Sequence, residues 1–378
     1  MKIAIVGQTP PPHHGSNIMA ETFLDALNLN GFPEYVFVNK EFSKYHEEVG
    51  KFRFAKIHRI VRFYLRLLKT VSSGDIDYVL YFVASGGIGL LVDAMILISI
   101  SWFFKTKYIL YIHGMGYSSL IDKGGVISAV VKRLLSKATF CMTLSKSMYQ
   151  DIQDYCDRFF IIPNCVPRKD EEMLNKMYSS KAVTSVHSGN VKILFLSTLI
   201  ESKGLSTLIE SMPFMTREAR NFELTIVGPW RDAVFKEKIF RLIEALNVGE
   251  FIFFRGPLYG TEKVRELVSS DIFVFPTHPP EAFPLVILEA MAVGLPIVST
   301  EVGSIPEIVA DGVNGFVVPP RNPQALASAV IRLIKDEIMR QNFGRASRRL
   351  FEERYTFESY RKNLYKIFKL IDATGGMT

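Results

Sequence analysis

Short apolar runs alternate with stretches of helical periodicity over the first 165 residues. We interpret the runs as β-strands, and Ile18–Leu29 has the apolar spacing of a helix. Strands that alternate with helices predict right-handed βαβ units and a doubly wound parallel sheet. The predicted strands are Lys2–Val6, Tyr35–Val38, Tyr78–Ala84, Tyr108–Ile112, Phe140–Leu144 and Phe159–Ile162.

The alternation resumes after a polar stretch. Residues 163–190 show little periodicity, and we interpret them as a connection between two domains. The strands predicted beyond it are Lys192–Leu196, Glu223–Val227, Phe251–Phe254, Ile272–Phe275 and Pro296–Ser299. The helices predicted between them are Leu205–Met212, Ala233–Leu246, Glu262–Ser269 and Val286–Val293.

This pattern predicts an α/β fold with two doubly wound, Rossmann-like domains, residues 1–165 and residues 190–355. Open α/β sheets bind ligands beyond the carboxyl ends of their strands, so we expect the site in a cleft that the two domains face. A basic amphipathic helix is predicted within residues 356–372, and we expect it to pack back onto the first domain.

Residues 86–104 are almost wholly apolar, and their length approaches that of a bilayer span. Asp93 lies in the middle of this segment, where a charge is costly in a membrane. A strand-like run follows directly at residues 107–114. We therefore favour a helix buried against the sheet over membrane insertion.

The positive charge of the chain is uneven. Lys and Arg number 45 against 38 Asp and Glu, and residues 51–70 alone hold seven Lys/Arg and no acid. Projected as a helix, that segment carries most of its basic residues on one side and most of its apolar residues on the other. It predicts a helix lying on an anionic membrane surface, or a sheet-packed helix with a solvated basic face. We favour the first; no base-reading motif supports nucleic acid as a partner.

Three cysteines and no C-x-x-C argue against disulfides and structural zinc, so a reducing compartment is expected. The apolar run at the start, Ile3–Val6, is too short for a signal peptide. We expect a cytoplasmic protein, peripheral on the inner membrane face. Asp75 and Asp77 form a D-x-D that precedes a strand, and we interpret it as a turn. No metal and no cofactor are predicted.

The strongest chemical signal is a pair of carboxylates, Glu281 and Glu289, around an apolar helix that we expect to begin at Pro284. Free amides at a helix N-terminus bind anions. The amides predicted to do so are those of Phe283, Leu285 and Val286. Two carboxylates and these amides suit a sugar nucleotide, with hydroxyls at both ends and phosphates between. On spacing alone, two glutamates that merely flank a helix are the more common arrangement.

The surrounding residues extend the pattern. The stretches are Glu281-Ala-Phe-Pro-Leu-Val-Ile-Leu-Glu289-Ala-Met-Ala, Gly294-Leu-Pro-Ile-Val, Gly303-Ser-Ile-Pro-Glu307 and Asp311-Gly-Val-Asn-Gly315. They resemble the retaining glycosyltransferases of family four, whose GT-B architecture has two Rossmann domains. The resemblance covers nearly all of residues 190–355 and is looser over residues 1–165. It implies that residues 190–355 bind the nucleotide sugar and that residues 1–165 lie on the acceptor side.

The resemblance implies roles for single residues. Glu289 would hold the donor ribose, Glu281 would contact the donor sugar, and Lys203 would pair with the diphosphate. A fixed cation there has a physical reason, because it stabilises the charge that develops on the departing nucleotide. In the first half, Gly15 matches a loop glycine near the donor, and His113 matches a histidine at a strand end.

One position departs from the family pattern. The family often has an Arg shortly before the lysine, whereas this chain has Ser197-Thr198-Leu199. Arg255 or Arg231 could supply that charge, and Gly228, at a strand end, completes the predicted donor-binding set.

The function implied is transfer of a sugar from a UDP- or GDP-sugar to an acceptor hydroxyl with retained configuration. The acceptor expected is a glycan or lipid-linked glycan of bacterial polysaccharide synthesis. Two alternatives stay open: a sugar-nucleotide epimerase, and a catalytically silent partner that binds nucleotide or lipid. The stretch from Glu281 to Glu289 argues against the epimerase, and Thr198 gives slight support to the silent partner.

Overall fold

A computed structural model of the chain describes residues 1–11, 14–29, 31–41, 54–181 and 189–375. Its strands form two separate six-stranded sheets, and neighbouring strands within each sheet are parallel. Contacts divide the chain into two units, residues 168–357 and, around them in sequence, residues 1–167 with residues from 358 onward.

The sheet of the first unit has the strand order β2-β1-β3-β4-β5-β6. Its central strand, Tyr78–Val83, is buried along its whole length, as expected of a parallel sheet covered by helices on both faces. The strands are β1 (Lys2–Gly7), β2 (Glu34–Asn39), β3 (Tyr78–Val83), β4 (Lys107–Ile112), β5 (Phe140–Thr143) and β6 (Phe159–Ile161).

Seven helices of the described residues accompany this sheet. They are α1 (Gly15–Leu27), α2 (Phe54–Ser72), α3 (Gly87–Phe104), α4 (Tyr117–Asp122), α5 (Gly125–Ser136), α6 (Lys146–Gln150) and, at the end of the chain, α15 (Phe357–Gly375). Helix α15 packs on the first unit: the rings of Phe368 and Phe23 lie 6.2 Å apart, and the hydroxyls of Tyr360 and Tyr111 lie 3.2 Å apart.

Helix α3 is fixed to the first sheet by the carboxylate of Asp93. That carboxylate lies 2.8 Å from Lys40 Nζ and accepts hydrogen bonds from the Tyr81 hydroxyl and the Ala84 N–H. Burial lowers the pKa of Lys40, although Asp93 opposes the shift. Among the described helices, α3 alone is long and apolar enough to cross a membrane, yet only 33% of that span is buried. The prediction of a buried helix is therefore right for its inner face and wrong for its outer face.

The second sheet has the order β12-β11-β10-β7-β8-β9. Its strands are β7 (Val191–Leu196), β8 (Phe222–Val227), β9 (Ile252–Gly256), β10 (Ile272–Phe275), β11 (Ile297–Thr300) and β12 (Gly315–Val318). The helices of this unit are α7 (Arg168–Lys181), α8 (Leu205–Glu218), α9 (Ala233–Leu246), α10 (Gly260–Ser269), α11 (Leu285–Ala292), α12 (Ile305–Ile308), α13 (Pro323–Lys335) and α14 (Glu337–Arg354).

The segment predicted as a connection contains a helix. Residues 168–181 form α7, which packs against α10 and α11 and lies in the second unit, so these residues are part of a unit and not a connection between two. Leu174 is the one apolar residue of α7 that is fully buried among its described side chains, which explains the weak periodicity. Asp170 and Glu171 in its first turn suit the positive end of the helix.

Candidate active site

Four adjacent strands of the second unit, β8, β7, β10 and β11, run parallel and end at one edge of the sheet. The chain segments that leave this edge carry most of the predicted site residues. The Thr198–Lys203 segment follows β7, Thr277 and Glu281 follow β10, and Gly303 follows β11.

Lys203 and Glu281 lie together at this edge. Lys203 Nζ is 2.6 Å from Glu281 Oε1, and both side chains are partly open to solvent. The Thr277 hydroxyl donates to the same oxygen at 2.8 Å, and no described residue is bonded to Oε2. The pair therefore joins a cation to a carboxylate that keeps one oxygen for a ligand. Sequence reasoning missed Thr277, although its place just after a predicted strand was a usable signal.

The backbone of Glu281 is held by the loop that follows β11. Ser304 N–H donates to the Glu281 carbonyl oxygen at 2.9 Å. Gly303 has φ +58, and a Cβ there would lie 2.2 Å from that same oxygen. A residue with a side chain at position 303 would therefore displace Glu281. This close approach gives the Gly303-Ser304 stretch a physical reason.

Helix α11 directs its N-terminus to the same region. It begins at Leu285, and Pro284 is its N-cap, so the prediction of Pro284 as the first helical residue is wrong by one position. The amides of Leu285 and Val286 belong to the first turn, where N–H groups have no partner inside the helix. Phe283 is buried with its ring 5.8 Å from that of Tyr355, so its side chain anchors the loop.

Glu289, inside α11, is more deeply placed. Its side chain is 7% exposed, and Oε1 lies 2.9 Å from Lys263 Nζ on α10. Oε2 is buried and has no hydrogen-bond partner among the described residues. Burial alone would lower the pKa of Lys263, but the facing carboxylate outweighs it and the pKa rises. Sequence reasoning missed Lys263, because nothing near it in the chain points to Glu289.

His278 is a second residue that sequence reasoning missed. Its Nε2 lies 2.9 Å from the Thr207 hydroxyl, and its backbone N–H donates to the Ser202 carbonyl at 3.0 Å. Burial lowers the pKa of His278, and the nearby guanidinium of Arg321 lowers it further. His278 therefore ties the segment after β10 to the turn that carries Lys203 and to α8.

Gly228 and Arg255, two other residues predicted to bind the donor, lie at the ends of β8 and β9. Gly228 has φ +149, and a Cβ there would lie 1.7 Å from the Ser197 carbonyl oxygen, so the ends of β7 and β8 require glycine. Arg255 is exposed and lies 3.6 Å from Glu266. Arg231, the other candidate for the missing family arginine, is also exposed.

Two of the predicted site residues, Gly15 and His113, lie in the first unit. Gly15 is the first residue of α1, and a Cβ there would meet open space. His113 follows β4, and its ring is stacked 5.2 Å from that of Phe82 and tilted 4.3 Å from that of Tyr111. Its Nε2 is buried without a partner among the described residues, and burial lowers its pKa to about 3. The imidazole is therefore neutral and can offer one hydrogen bond to a ligand.

Within the described ranges, no three His, Cys, Asp or Glu side chains gather as metal ligands would. The D-x-D aspartate Asp77 accepts a hydrogen bond from the Lys2 N–H at 2.7 Å. Its own N–H donates to the Lys2 carbonyl at 2.9 Å, so Asp77 links the start of β3 to the start of β1.

The family model described as "Glycosyl transferases group 1" matches residues 179–350. These residues include every site residue of the second unit described above. Over this region the chain is similar to the group 1 glycosyltransferases. The family-level prediction made from the stretches around Glu281 and Glu289 is thereby confirmed.

Two curated relatives match over part of their length. An uncharacterized glycosyltransferase of Methanocaldococcus jannaschii is 32% identical over 47% of this chain and 44% of its own length. A phosphatidyl-myo-inositol mannosyltransferase of Mycobacterium leprae is 25% identical over 48% of this chain and 47% of its own length. The chain thus matches less than half the length of each relative.

A solved structure resembles the whole chain. The Anabaena protein HepE, in complex with UDP and glucose, has a TM-score of 0.71 and 16% sequence identity, covering 98% of this chain and 99% of that one. At this identity the likeness concerns the fold. The predicted fold class, two Rossmann-like α/β domains of the GT-B type, is confirmed.

Proposed function

We propose that the protein is a retaining glycosyltransferase that moves a sugar from a nucleoside-diphosphate sugar to an acceptor hydroxyl. The observation that carries the proposal is the pair of Lys203 and Glu281, 2.6 Å apart beside the N-terminus of α11. The pair sets a cation, a carboxylate and helix amides at the carboxyl edge of a parallel sheet. The match of residues 179–350 to the group 1 glycosyltransferase model supports this assignment.

We assign the donor diphosphate to Lys203 and to the amides of Leu285 and Val286, because a cation and a helix N-terminus both favour phosphate oxygens. Glu281 takes the hydroxyls of the donor sugar. Glu289 takes the ribose, since its buried Oε2 is an acceptor without a donor and a ribose hydroxyl would supply one. The further donor contacts that we propose are Phe283, Gly228, Arg255 and Gly15.

In the proposed reaction, the bond between the anomeric carbon and the diphosphate oxygen breaks as the acceptor oxygen bonds to the anomeric carbon on the same face. The departing diphosphate keeps the bonding electrons and accepts the proton of the acceptor hydroxyl. The sugar passes through an oxocarbenium-like state. Lys203 and the helix amides stabilise the leaving charge. Neutral His113 holds a sugar hydroxyl. No protein nucleophile is assigned, because the acceptor oxygen bonds directly to the anomeric carbon and no covalent sugar–enzyme intermediate forms.

The donor that we propose is a UDP- or GDP-sugar, and the acceptor a lipid-linked or growing bacterial polysaccharide. The named substrate of the Mycobacterium leprae relative supports a lipid acceptor, and the UDP bound to HepE supports testing UDP-sugars first. We also propose that the protein works in the cytoplasm, peripheral to the inner membrane face.

The test is nucleotide release from a panel of UDP- and GDP-sugars, with and without bacterial membrane lipid extract as acceptor source. We expect one donor to release its nucleotide in proportion to the extract. Proton NMR of the anomeric signal in the product then checks retention. An inverted anomer would refute the retaining mechanism, and release without transfer would refute the transferase.

Variants connect the activity to the site. Lys203→Met should lower the release rate by about 10²–10³, the range seen when one preorganised charge-stabilising group is lost. Glu281→Gln should lower it comparably. The matched controls are Lys236→Met and Glu250→Gln, both at exposed positions of the same unit. Folded protein that binds UDP but frees no nucleotide from any of the donor sugars would instead favour the silent nucleotide-binding partner.

A further inference from the structure

The outer face of α3 is apolar and exposed. Ile88, Met95 and Trp102 lie seven residues apart, so they share one side of the helix. Met95 is 62% exposed, Trp102 76% and the adjacent Phe103 73%. The inner face of the same helix is held to the sheet through Asp93. The outer face of α3 is therefore an apolar surface that is exposed to water and takes no part in the core.

Helix α2 exposes a second apolar line. Phe63, Leu67 and Val71 bury its inner side. Ile57, Val61 and Leu65, each four residues apart, stay 42%, 50% and 60% exposed. The sequence projection placed these three residues on one apolar side together with Leu67, whereas in the structure Leu67 is buried and the three are exposed. A helix needs no exposed apolar line in water, so this line requires a separate explanation.

The two helices that carry these exposed apolar residues, α2 and α3, contact each other. The Tyr64 hydroxyl lies 2.8 Å from Ser99 Oγ, which joins the two helices side by side. Ser99 lies four residues after Met95 and three before Trp102, on the same side of α3. Tyr64 lies one turn after Val61. We call the exposed residues Ile57, Val61, Leu65, Ile88, Met95, Trp102 and Phe103 the apolar edge.

Positive charge borders the apolar edge. Arg62, Arg66 and Lys69 are exposed on the side of α2 next to its apolar line, and Lys105 is exposed directly after α3. Within Phe54–Ser72 and Gly87–Phe104 the one acidic residue is Asp93, which is buried and paired with Lys40. A surface with apolar and aromatic residues beside Arg and Lys is complementary to lipid chains beside anionic headgroups.

We propose that the apolar edge and its basic border dock the first unit onto an anionic lipid bilayer, with Trp102 and Phe103 inserted at the level of the headgroups. This deepens the membrane location proposed above, on which it rests, and does not depend on glycosyl transfer. Because Asp93 fixes α3 to the sheet, the helix lies on the bilayer without crossing it. Residues 51–53 of the predicted basic segment lie outside the described residues.

The experiment uses the two tryptophans of the chain, Trp102 and Trp230. In a Trp230→Phe variant, Trp102 is the single tryptophan and reports on the edge. We mix this protein with vesicles of phosphatidylcholine containing one third phosphatidylglycerol, and with phosphatidylcholine alone. We expect a blue-shifted emission and quenching by brominated lipid with the anionic vesicles, and neither with phosphatidylcholine alone. If the protein sediments with the anionic vesicles but its Trp102 emission stays unchanged, the proposal is overturned. Absence of vesicle binding would also overturn it.

Variants separate the two halves of the surface. Trp102→Ser with Phe103→Ser should weaken vesicle binding at least tenfold. Arg62→Gln, Arg66→Gln and Lys69→Gln should each weaken it about fivefold and reduce its salt dependence. Val234→Ser and Lys236→Gln, exposed in the second unit, are the matched controls and should bind as the parent does.

Two outcomes would assign the edge to another occupant. If vesicle binding is unaffected by Trp102→Ser with Phe103→Ser, the membrane surface lies elsewhere. If sedimentation shows a dimer that these substitutions dissociate, a second copy of the chain covers the edge. Glycosyl transfer to a water-soluble acceptor is measured in parallel. Its survival in a variant that no longer binds vesicles separates this proposal from the proposed reaction.

Discussion

Lys263 and Glu289 form the more buried of the two lysine–carboxylate pairs near α11. Removing one partner of a buried pair leaves the other charge uncompensated, which costs roughly 3–5 kcal/mol. We expect Lys263→Met to lower the free energy of unfolding by about 3 kcal/mol at the low end of that range. Glu289 would lose the group that orients it, so UDP binding should weaken too. Urea unfolding and UDP titration measure the two effects.

A double variant tests whether this cost is electrostatic. Lys263→Met combined with Glu289→Leu removes both charges, and buried pairs replaced by apolar residues are often neutral in stability. We expect the double variant to recover most of the stability and none of the UDP affinity. A stability loss equal to the sum of the two single losses would show that the residues are not coupled. Lys236→Met, an exposed lysine, serves as the control.

His113 should not titrate in the physiological range, since burial lowers its pKa to about 3. The NMR signal that disappears in His113→Gln should keep its position between pH 8 and pH 5. The folded pKa lies below the unfolded value of about 6.5. Above pH 6.5 His113 is neutral in both the folded and the unfolded chain. Below pH 6.5 the unfolded chain binds the proton first, so the free energy of unfolding falls by about 1.4 kcal/mol per pH unit as the pH falls towards 3. A midpoint near pH 6.5 would contradict the buried environment.

The residues that the sequence predicted are those that local patterns mark. Glu281 and Glu289 flank an apolar helix, and Lys203 lies in a short Ser-Lys-Gly-Leu stretch, so neighbours in the chain identify them. Lys263 and Glu289, 26 residues apart in the chain, reach each other only through the packing of α10 and α11. Their contacts depend on tertiary structure, which a single sequence does not specify locally.

At the scale of elements, the loop after β11 should control the site through Gly303. A Cβ at this position would meet the Glu281 carbonyl oxygen at 2.2 Å, and the backbone is left-handed at φ +58. We expect Gly303→Ala to cost more than about 1 kcal/mol of stability and to reduce nucleotide release as strongly as Glu281→Gln. Release kinetics and urea unfolding measure these effects.

Gly312 provides the matched control, because its φ is +72 and a Cβ there would meet nothing within 4 Å. Gly312→Ala should carry the same backbone strain and leave nucleotide release close to that of the parent. Equal losses of release in the two variants would show that strain alone, and not displacement of Glu281, explains the effect of Gly303→Ala.

Elements were predictable where the apolar pattern is dense. The helix predicted over Ala233–Leu246 has those bounds in the structure, and the eleven predicted strands agree with β1 to β11 within two residues at each end. Helix α7 was missed because its surface is mostly polar, and its buried side faces other helices. Strand β12 was missed, and its first residue, Gly315, closes a glycine-containing turn.

At the scale of the molecule, the chain leaves the first unit after residue 167 and returns to it after residue 357. The sequence analysis expects the helix within residues 356–372 to pack back onto the first domain, and its amphipathic sequence indicates one buried face. In the structure, Phe368 is buried against Phe23 and Phe32, and Tyr360 meets Tyr111. The first unit therefore depends on residues from both ends of the chain.

This dependence predicts a one-sided effect. Phe368→Ala removes a buried ring, which typically costs about 3–5 kcal/mol, and the cost should fall on the first unit alone. We expect faster hydrogen exchange in peptides covering β1 and β4, and unchanged exchange in peptides covering β7 and β10, followed by mass spectrometry. Lys366→Ala, at an exposed position of the same helix, should change neither set. If β7 and β10 lost protection together with β1 and β4, the two units would unfold together. The prediction that each unit unfolds independently would then be wrong.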